Sequence, residues 1–216
     1  MDVVFLNLNK FKMKHLFLVF TVSILSIFLF NCEDQKRPVL GETEFQKTLN
    51  GEFKDATVSP LKEEDRKAFE GLDFFKFDST FVVSATLKRV ENAEWFNMKT
   101  TTSRVSKERV FGVLSFQLKG KTFQLNVYQG EDLMQKEGFE DYLFLPFLDE
   151  TNGVESYGGG RYIDLTIPET DEVIIDFNKA YNPYCAYNSK FSCPIVPRVN
   201  YLKTRVEAGV KVFDKH

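Results

Sequence analysis

Histidine is almost missing. The chain of 216 residues has two, His15 and His216, both remote from its middle. A Ser-His-Asp triad, a Cys-His dyad and histidine-based zinc or iron sites are thereby excluded from the interior of the chain. Clustered positive charge is missing too. No run of Lys and Arg exceeds two residues, and the net charge is −3. Phosphate backbones are bound by basic faces, so nucleic acid is not an expected partner. The calcium loop D-x-[DN]-x-[DN]-G does not occur. Glycines cluster only at Gly158-Gly159-Gly160, ahead of a strand pattern and without a following Lys-Ser/Thr. That context suits a turn where backbone approaches backbone, not a nucleotide cradle. No resident cofactor and no metal is expected. Internal repeats and low-complexity stretches are also lacking.

The first residues carry an address. Lys10, Lys12 and Lys14 precede the uncharged run LFLVFTVSILSIFLF (16–30), which Asn31-Cys32 ends. A basic stretch followed by an apolar core of this length reads as a signal peptide over 1–31. It is short for a membrane span, which takes about 20 apolar residues. A cysteine directly after the run resembles a lipobox, with Leu29 at the expected place and Asn31 where a smaller residue is usual. Cleavage before Cys32 would leave that cysteine lipidated, with residues 32–42 as a tether and 43–216 as a single β-rich domain. The anchor predicts an exported, membrane-held protein, in the outer membrane on its periplasmic or surface face. An uncleaved anchor helix is the alternative. Met13 begins a second, more compact leader and is a candidate for the true start.

Phenylalanine is abundant, 23 residues. Thr43 is placed to cap a helix with Phe45, Leu49 and Phe53 on one stripe, with Gly51 against it. Ser59 and Pro60 are placed to open a second helix and Gly71 to stop it, with Glu63, Glu64 and Asp65 in its N-terminal half. From Ser79 the apolar period becomes two. Strands are expected around Phe81–Leu87, Trp95–Thr102, Val110–Leu118, Phe123–Val127, Tyr142–Phe147, Tyr162–Ile167 and Val173–Phe177, with a tight turn at Lys119-Gly120. Crossover helices are lacking between them, so the fold class is mainly β: an antiparallel barrel or sandwich with two short N-terminal helices, α+β by strict count. Asn178 to Asn200 breaks the pattern with Pro183, Pro194 and Pro197, yet holds Tyr181, Tyr184, Tyr187 and Phe191. So many aromatics predict an ordered loop wrapped on the sheet.

The segments SPLKEEDRKAFEGLDFF (59–75), YLFLPFLDETNGVESYGGGRYIDL (142–165) and DFNKAYNPYCAYNSKFSCPIVP (176–197) resemble the bacterial and archaeal family called domain of unknown function 1684. The likeness runs from about Glu44 to Phe213. Its closing pattern fits Asn200, Val206, Ala208 and Gly209, with Val210 where many members carry Glu. The resemblance implies a fold but no activity.

Chemistry-bearing residues concentrate in two loops, 149–162 and 178–200. Arg161 offers a planar fork for a carboxylate or phosphate; an ion pair with Asp149, Asp164 or Asp176 is the alternative. Asp149, Asp164, Asp176, Asn178 and Asn182 are expected to gather near it. Tyr157, Tyr162, Tyr181 and Tyr184 add aromatic surface of the kind that builds sugar or small-ligand sites, or that merely covers a sheet. Cys185 and Cys193 predict a disulfide in an exported protein, contributing roughly 2.5 kcal/mol. Buried free thiols are the alternative, since some members of the family keep this motif without a signal peptide. The leading expectation is a non-catalytic envelope lipoprotein that binds a small polar molecule or an envelope protein at this surface. The alternatives are a hydrolase-type enzyme, with Asp164 and Asp176 as acid and base and Arg161 as anion holder, and a purely structural partner-binding protein.

Overall fold

The computed structural model of the protein describes residues 41–213. The expected signal peptide, the candidate start at Met13, Cys32, most of the expected tether and His216 lie outside the described residues. Among the described residues no helix is long and apolar enough to cross a membrane.

Helix α1, Glu44–Lys54, starts where expected. Thr43 and Gln46 cap each other reciprocally, the Thr43 hydroxyl accepting from the Gln46 N–H at 3.3 Å. Gly51 has open space around it and is tolerated inside the helix. Helix α2 departs from expectation. It spans only Glu63–Ala68, is capped at Lys62 without a side-chain bond, and ends before Gly71. Ser59 does not open it because its hydroxyl donates to the Phe53 carbonyl at 2.7 Å and accepts from the Leu61 N–H. It ties the end of α1 to the connecting turn instead.

Seven strands follow: β1 Val82–Arg89, β2 Phe96–Lys99, β3 Val105–Leu118, β4 Lys121–Gly130, β5 Tyr142–Phe147, β6 Arg161–Thr166 and β7 Glu172–Asp176. All pair antiparallel in one curled half-barrel sheet of order β6-β5-β4-β3-β1-β7, with β2 beside β3. The fold is mainly antiparallel β, as the period-two pattern predicts. Lys119 and Gly120 both adopt positive φ, 49° and 74°, which matches the turn twist to that of the strands it joins.

One face of the sheet holds the main core. Val83, Ala85 and Leu87 of β1 meet Leu114, Phe116 and Leu118 of β3, Leu145 and Phe147 of β5, and Ile175 of β7. Leu202, Val206 and Ala208 from the C-terminal segment complete it. The other face of β4, β5 and β6 presents Tyr128, Phe144 and Tyr162, which pack with Met98, Leu148 and Val196. Strand β5 is therefore covered on both faces, which is why its sequence YLFLPF does not alternate.

Two polar clasps hold the C-terminal segment. Pro146 brings no N–H to the ladder, and β5 pairs with β4 only through Tyr128 and Phe144. Asn200 fills the gap: its amide donates to the carbonyls of Pro146 (2.6 Å) and Asn126 (2.8 Å) and accepts from the Asn126 N–H (2.9 Å). Arg161 makes the second clasp. It is fully buried, paired to Asp149 at 2.8 Å, and donates to the carbonyls of Val206 and Ala208. Gly209 follows with φ 79°, where a Cβ would lie 2.5 Å from the Ala180 carbonyl, so only glycine fits. These contacts explain the closing pattern Asn200, Val206, Ala208, Gly209 structurally.

Candidate functional site

Strand parity sorts the residues expected to gather around Arg161. On β6, Arg161 and Ile163 face the main core, while Tyr162 and Asp164 face the opposite side. Arg161 thus meets Asp149 and two carbonyls, not a surface anion. Asp149 has no exposure to speak of (2 %), and its Oδ1 also accepts from the N–H groups of Thr151 and Val206. The pair belongs to the fold. Burial pulls the Arg161 guanidinium down from its usual range, and the Asp149 charge opposes that.

Asp176 and Asn178 sit at the far edge of the sheet. Strands β6 and β7 end the strand order, and Asp176 does not join Asp164 in lining the cleft described below. Asp176 instead caps a short 3-10 turn, its Oδ1 accepting from the N–H (3.0 Å) and side-chain amide (2.9 Å) of Asn178. Asn182 is buried, and its amide donates to the Lys211 carbonyl at 2.8 Å. These three serve the long loop and its neighbours.

Four of the expected residues do converge. Tyr162, Asp164, Tyr181 and Tyr184 line a cleft of about 430 Å³ between β6, the 178–200 loop and α1. That volume suits a small-molecule site, roughly 300–1,000 Å³. The helix contributes Phe45, Thr48, Leu49 and Glu52, one face at i, i+3, i+4, i+7 spacing. The apolar stripe predicted from the sequence therefore serves two ends: Phe53 enters a core cluster with Leu61, Leu72 and Tyr187, Leu49 both packs against that cluster and lines the cleft, and Phe45 faces the cleft.

Asp164 is the polar centre of the cleft. Its Oδ1 accepts from the hydroxyls of Tyr142 (2.7 Å) and Tyr181 (2.5 Å). Its Oδ2 has no hydrogen-bond partner among the described residues, and the side chain is exposed. Burial pushes both phenols up, and the Asp164 charge adds to it, so they remain donors. Tyr162 packs edge-on to Tyr181 with ring centroids 5.9 Å apart and donates to the Pro194 carbonyl. Tyr184 and Phe191 form a second aromatic pair at 5.3 Å. Tyr142 was not singled out by the sequence; only the register β5–β6, which sets Phe144 opposite Asp164 and Tyr142 opposite Thr166, brings it near.

Cys193, at the cleft wall, and Cys185 stand beside each other as free thiols. The Cys185 N–H donates to Cys193 Sγ at 3.2 Å. Hydrogen bonding from the Cys193 thiol, with help from Thr101 and Tyr157, draws the Cys185 thiol down to about 6; Cys193 is pushed up in return. This is where Tyr157 lies, beside the thiols and not in the cleft. Glu108 is a further carboxylate the sequence did not flag. It is 5 % exposed, its Oε1 accepts from Ser106, its Oε2 is buried without a hydrogen-bond partner among the described residues, and burial pushes it up. No group of His, Cys, Asp and Glu suited to a metal ion occurs among the described residues.

No curated protein matches the chain. A solved structure does: the solution NMR structure of an uncharacterized protein of Haloarcula marismortui, with 37% sequence identity over 74% of this chain and 85% of that one, and a TM-score of 0.59. The profile of the family described as protein of unknown function (DUF1684) matches residues 67–211, which include the buried clasp, the β6 face with Tyr162 and Asp164, the long loop and the closing Ala208-Gly209. The chain belongs to the DUF1684 family.

Proposed function

We propose that this protein is an exported lipoprotein, held to the cell envelope through lipid on Cys32, whose β-rich domain binds a small molecule in the cleft at Asp164. The leader pattern of residues 10–32 supports the address. One observation supports the binding reading above all: Asp164 is fixed through one oxygen by two phenols and presents the other to an aromatic-walled cleft of small-molecule size. Orienting one polar group by neighbours while leaving an acceptor open is how apolar pockets gain specificity. Catalysis is not part of the reading: of the two carboxylates expected to act as acid and base, only Asp164 lines the cleft.

Intact mass of the full chain from the producing cell tests both halves. A mass in excess under native conditions that is lost on denaturation, and lost again in Asp164→Ala, is the expected result for the cleft. A denatured chain beginning at Cys32 with acyl chains is the expected result for the anchor. An unmodified chain that still carries residues 1–31 sinks the lipoprotein reading, and equal native and denatured masses together with no response to any small-molecule probe sink the binding reading.

A further inference from the structure

The cleft at Asp164 carries charge of one sign. Glu52 of α1 and Asp164 of β6 line it, and no lysine or arginine does. Neither carboxylate makes an ion pair among the described residues. Lys190 is nearby in sequence, but its Nζ stands 4.9 Å from the centroid of the Phe191 ring and pairs with neither acid. The remaining wall is largely aromatic: Phe45, Tyr162, Tyr181, Tyr184 and Phe191. The two acids act on a common region, because after burial it is Glu52 and Asp164 that push the Tyr184 phenol upward.

Three features of the wall select among ligands. Oδ2 of Asp164 is open to a ligand donor, since both phenols are committed to Oδ1. The charge of Glu52 and Asp164 repels an anion. Ring faces carry negative quadrupole density, which attracts a cation and leaves a neutral group indifferent. A neutral alcohol meets only the first demand and an anion meets none. An organic cation meets all three, with a charge-assisted hydrogen bond to Oδ2.

We propose that the ligand class of this cleft is a small organic cation: an ammonium group against Asp164 Oδ2, carried on an apolar body that lies on the aromatic wall. This rests on the reading of the cleft as a ligand site and names the chemistry it takes. The lack of any cation in the lining, against two acids and five rings, is what carries it.

The test uses three probes of one shape, 2-phenylethylammonium, 2-phenylethanol and 3-phenylpropanoate, titrated calorimetrically into the full-length chain. The expected result is binding of the ammonium at least tenfold tighter than the alcohol, with no binding of the carboxylate. Asp164→Asn should weaken the ammonium at least tenfold and bring it level with the alcohol. Glu52→Gln, an exposed change on α1 at a side chain with no ion pair among the described residues, should weaken it severalfold and guards against misfolding of the first variant. Equal binding of ammonium and alcohol, or tighter binding of the carboxylate, overturns the cation proposal while the cleft remains a ligand site. Binding that survives unchanged in both variants overturns it as well, by placing the ammonium elsewhere. No binding of any probe overturns the cation proposal and counts against the ligand-site reading beneath it.

Discussion

Arg161 and Asp149 meet at 2.8 Å with neither side chain exposed to solvent, and the same guanidinium holds the carbonyls of Val206 and Ala208. One residue thus joins the 149–162 loop to the C-terminal segment. Breaking a buried pair by removing one partner leaves an uncompensated charge, at a cost of about 3–5 kcal/mol. Arg161→Met should lower stability by that amount in urea denaturation. Arg161→Met combined with Asp149→Asn should cost less than the sum of the two single changes, because the second change removes the stranded charge. A loss under about 1 kcal/mol for Arg161→Met would contradict the assignment of this pair to the fold.

Asn200 should be as demanding in a different way. Its side chain is the only link between Asn126 of β4 and Pro146 of β5 that the hydrogen bonds of the described residues provide at that level of the sheet. Asn200→Ala strands three backbone groups, each at about 1–3 kcal/mol when buried. The expected loss is about 3 kcal/mol or more. Hydrogen exchange locates it: the Asn126 amide should lose protection, while the β1–β3 ladder keeps its own relative to global unfolding.

Glu108 sets a pH dependence. Burial raises its carboxyl above the ordinary value, chiefly by desolvation, while Arg104 draws it down and Asp132 pushes it up. A raised acid favours folding in its protonated form, so its contribution is fully present below the unfolded carboxyl value and is lost as pH rises through the folded one. The wild-type chain should lose stability over that interval. Glu108→Gln, which cannot ionise, should flatten the profile there and be the more stable chain at neutral pH. A profile of unchanged slope in Glu108→Gln would remove Glu108 as its source.

The thiols make a chemical prediction. With Cys185 drawn down to about 6 by the Cys193 thiol, its alkylation rate by iodoacetamide should level off well below the usual thiol range. Cys193→Ser keeps a hydrogen-bond donor and should keep much of the effect, whereas Cys193→Ala should return Cys185 toward ordinary reactivity. A mild oxidant should close Cys185 and Cys193 into a bridge, read as a loss of two hydrogens in the intact mass. If Cys193→Ala leaves the pH profile of alkylation unmoved, the Cys193 thiol is not what activates Cys185.

Local pattern made much of this molecule legible. The capping residue Thr43, the period-two runs of β1, β3 and β4, and the Lys119-Gly120 turn are short-range features, and each is where the sequence puts it. Helix α2 failed expectation because Ser59 found a partner outside its own turn, in the Phe53 carbonyl. One fact about the site was also present in the sequence and outweighed by composition. Arg161 and Asp164 are three apart on a strand, so period two alone sends them to opposite faces.

The sequence by itself determined the fold class, the family, the opposite orientation of Arg161 and Asp164, and the exclusion of histidine chemistry. These follow from residue type and near-neighbour spacing. Tertiary structure alone decided that the Arg161 face of β6 is the one turned to the main core, because the segment 202–210 covers it and supplies Val206 and Ala208 as acceptors. It alone placed Tyr142 and Tyr181, 22 and 17 residues from Asp164, on one oxygen of that carboxylate. It alone set Phe45, Leu49 and Glu52 of α1 across from them. Such groupings depend on long-range strand pairing and loop docking, whose stabilisation is the burial of surface shared between distant segments, and no local window of sequence contains that energy.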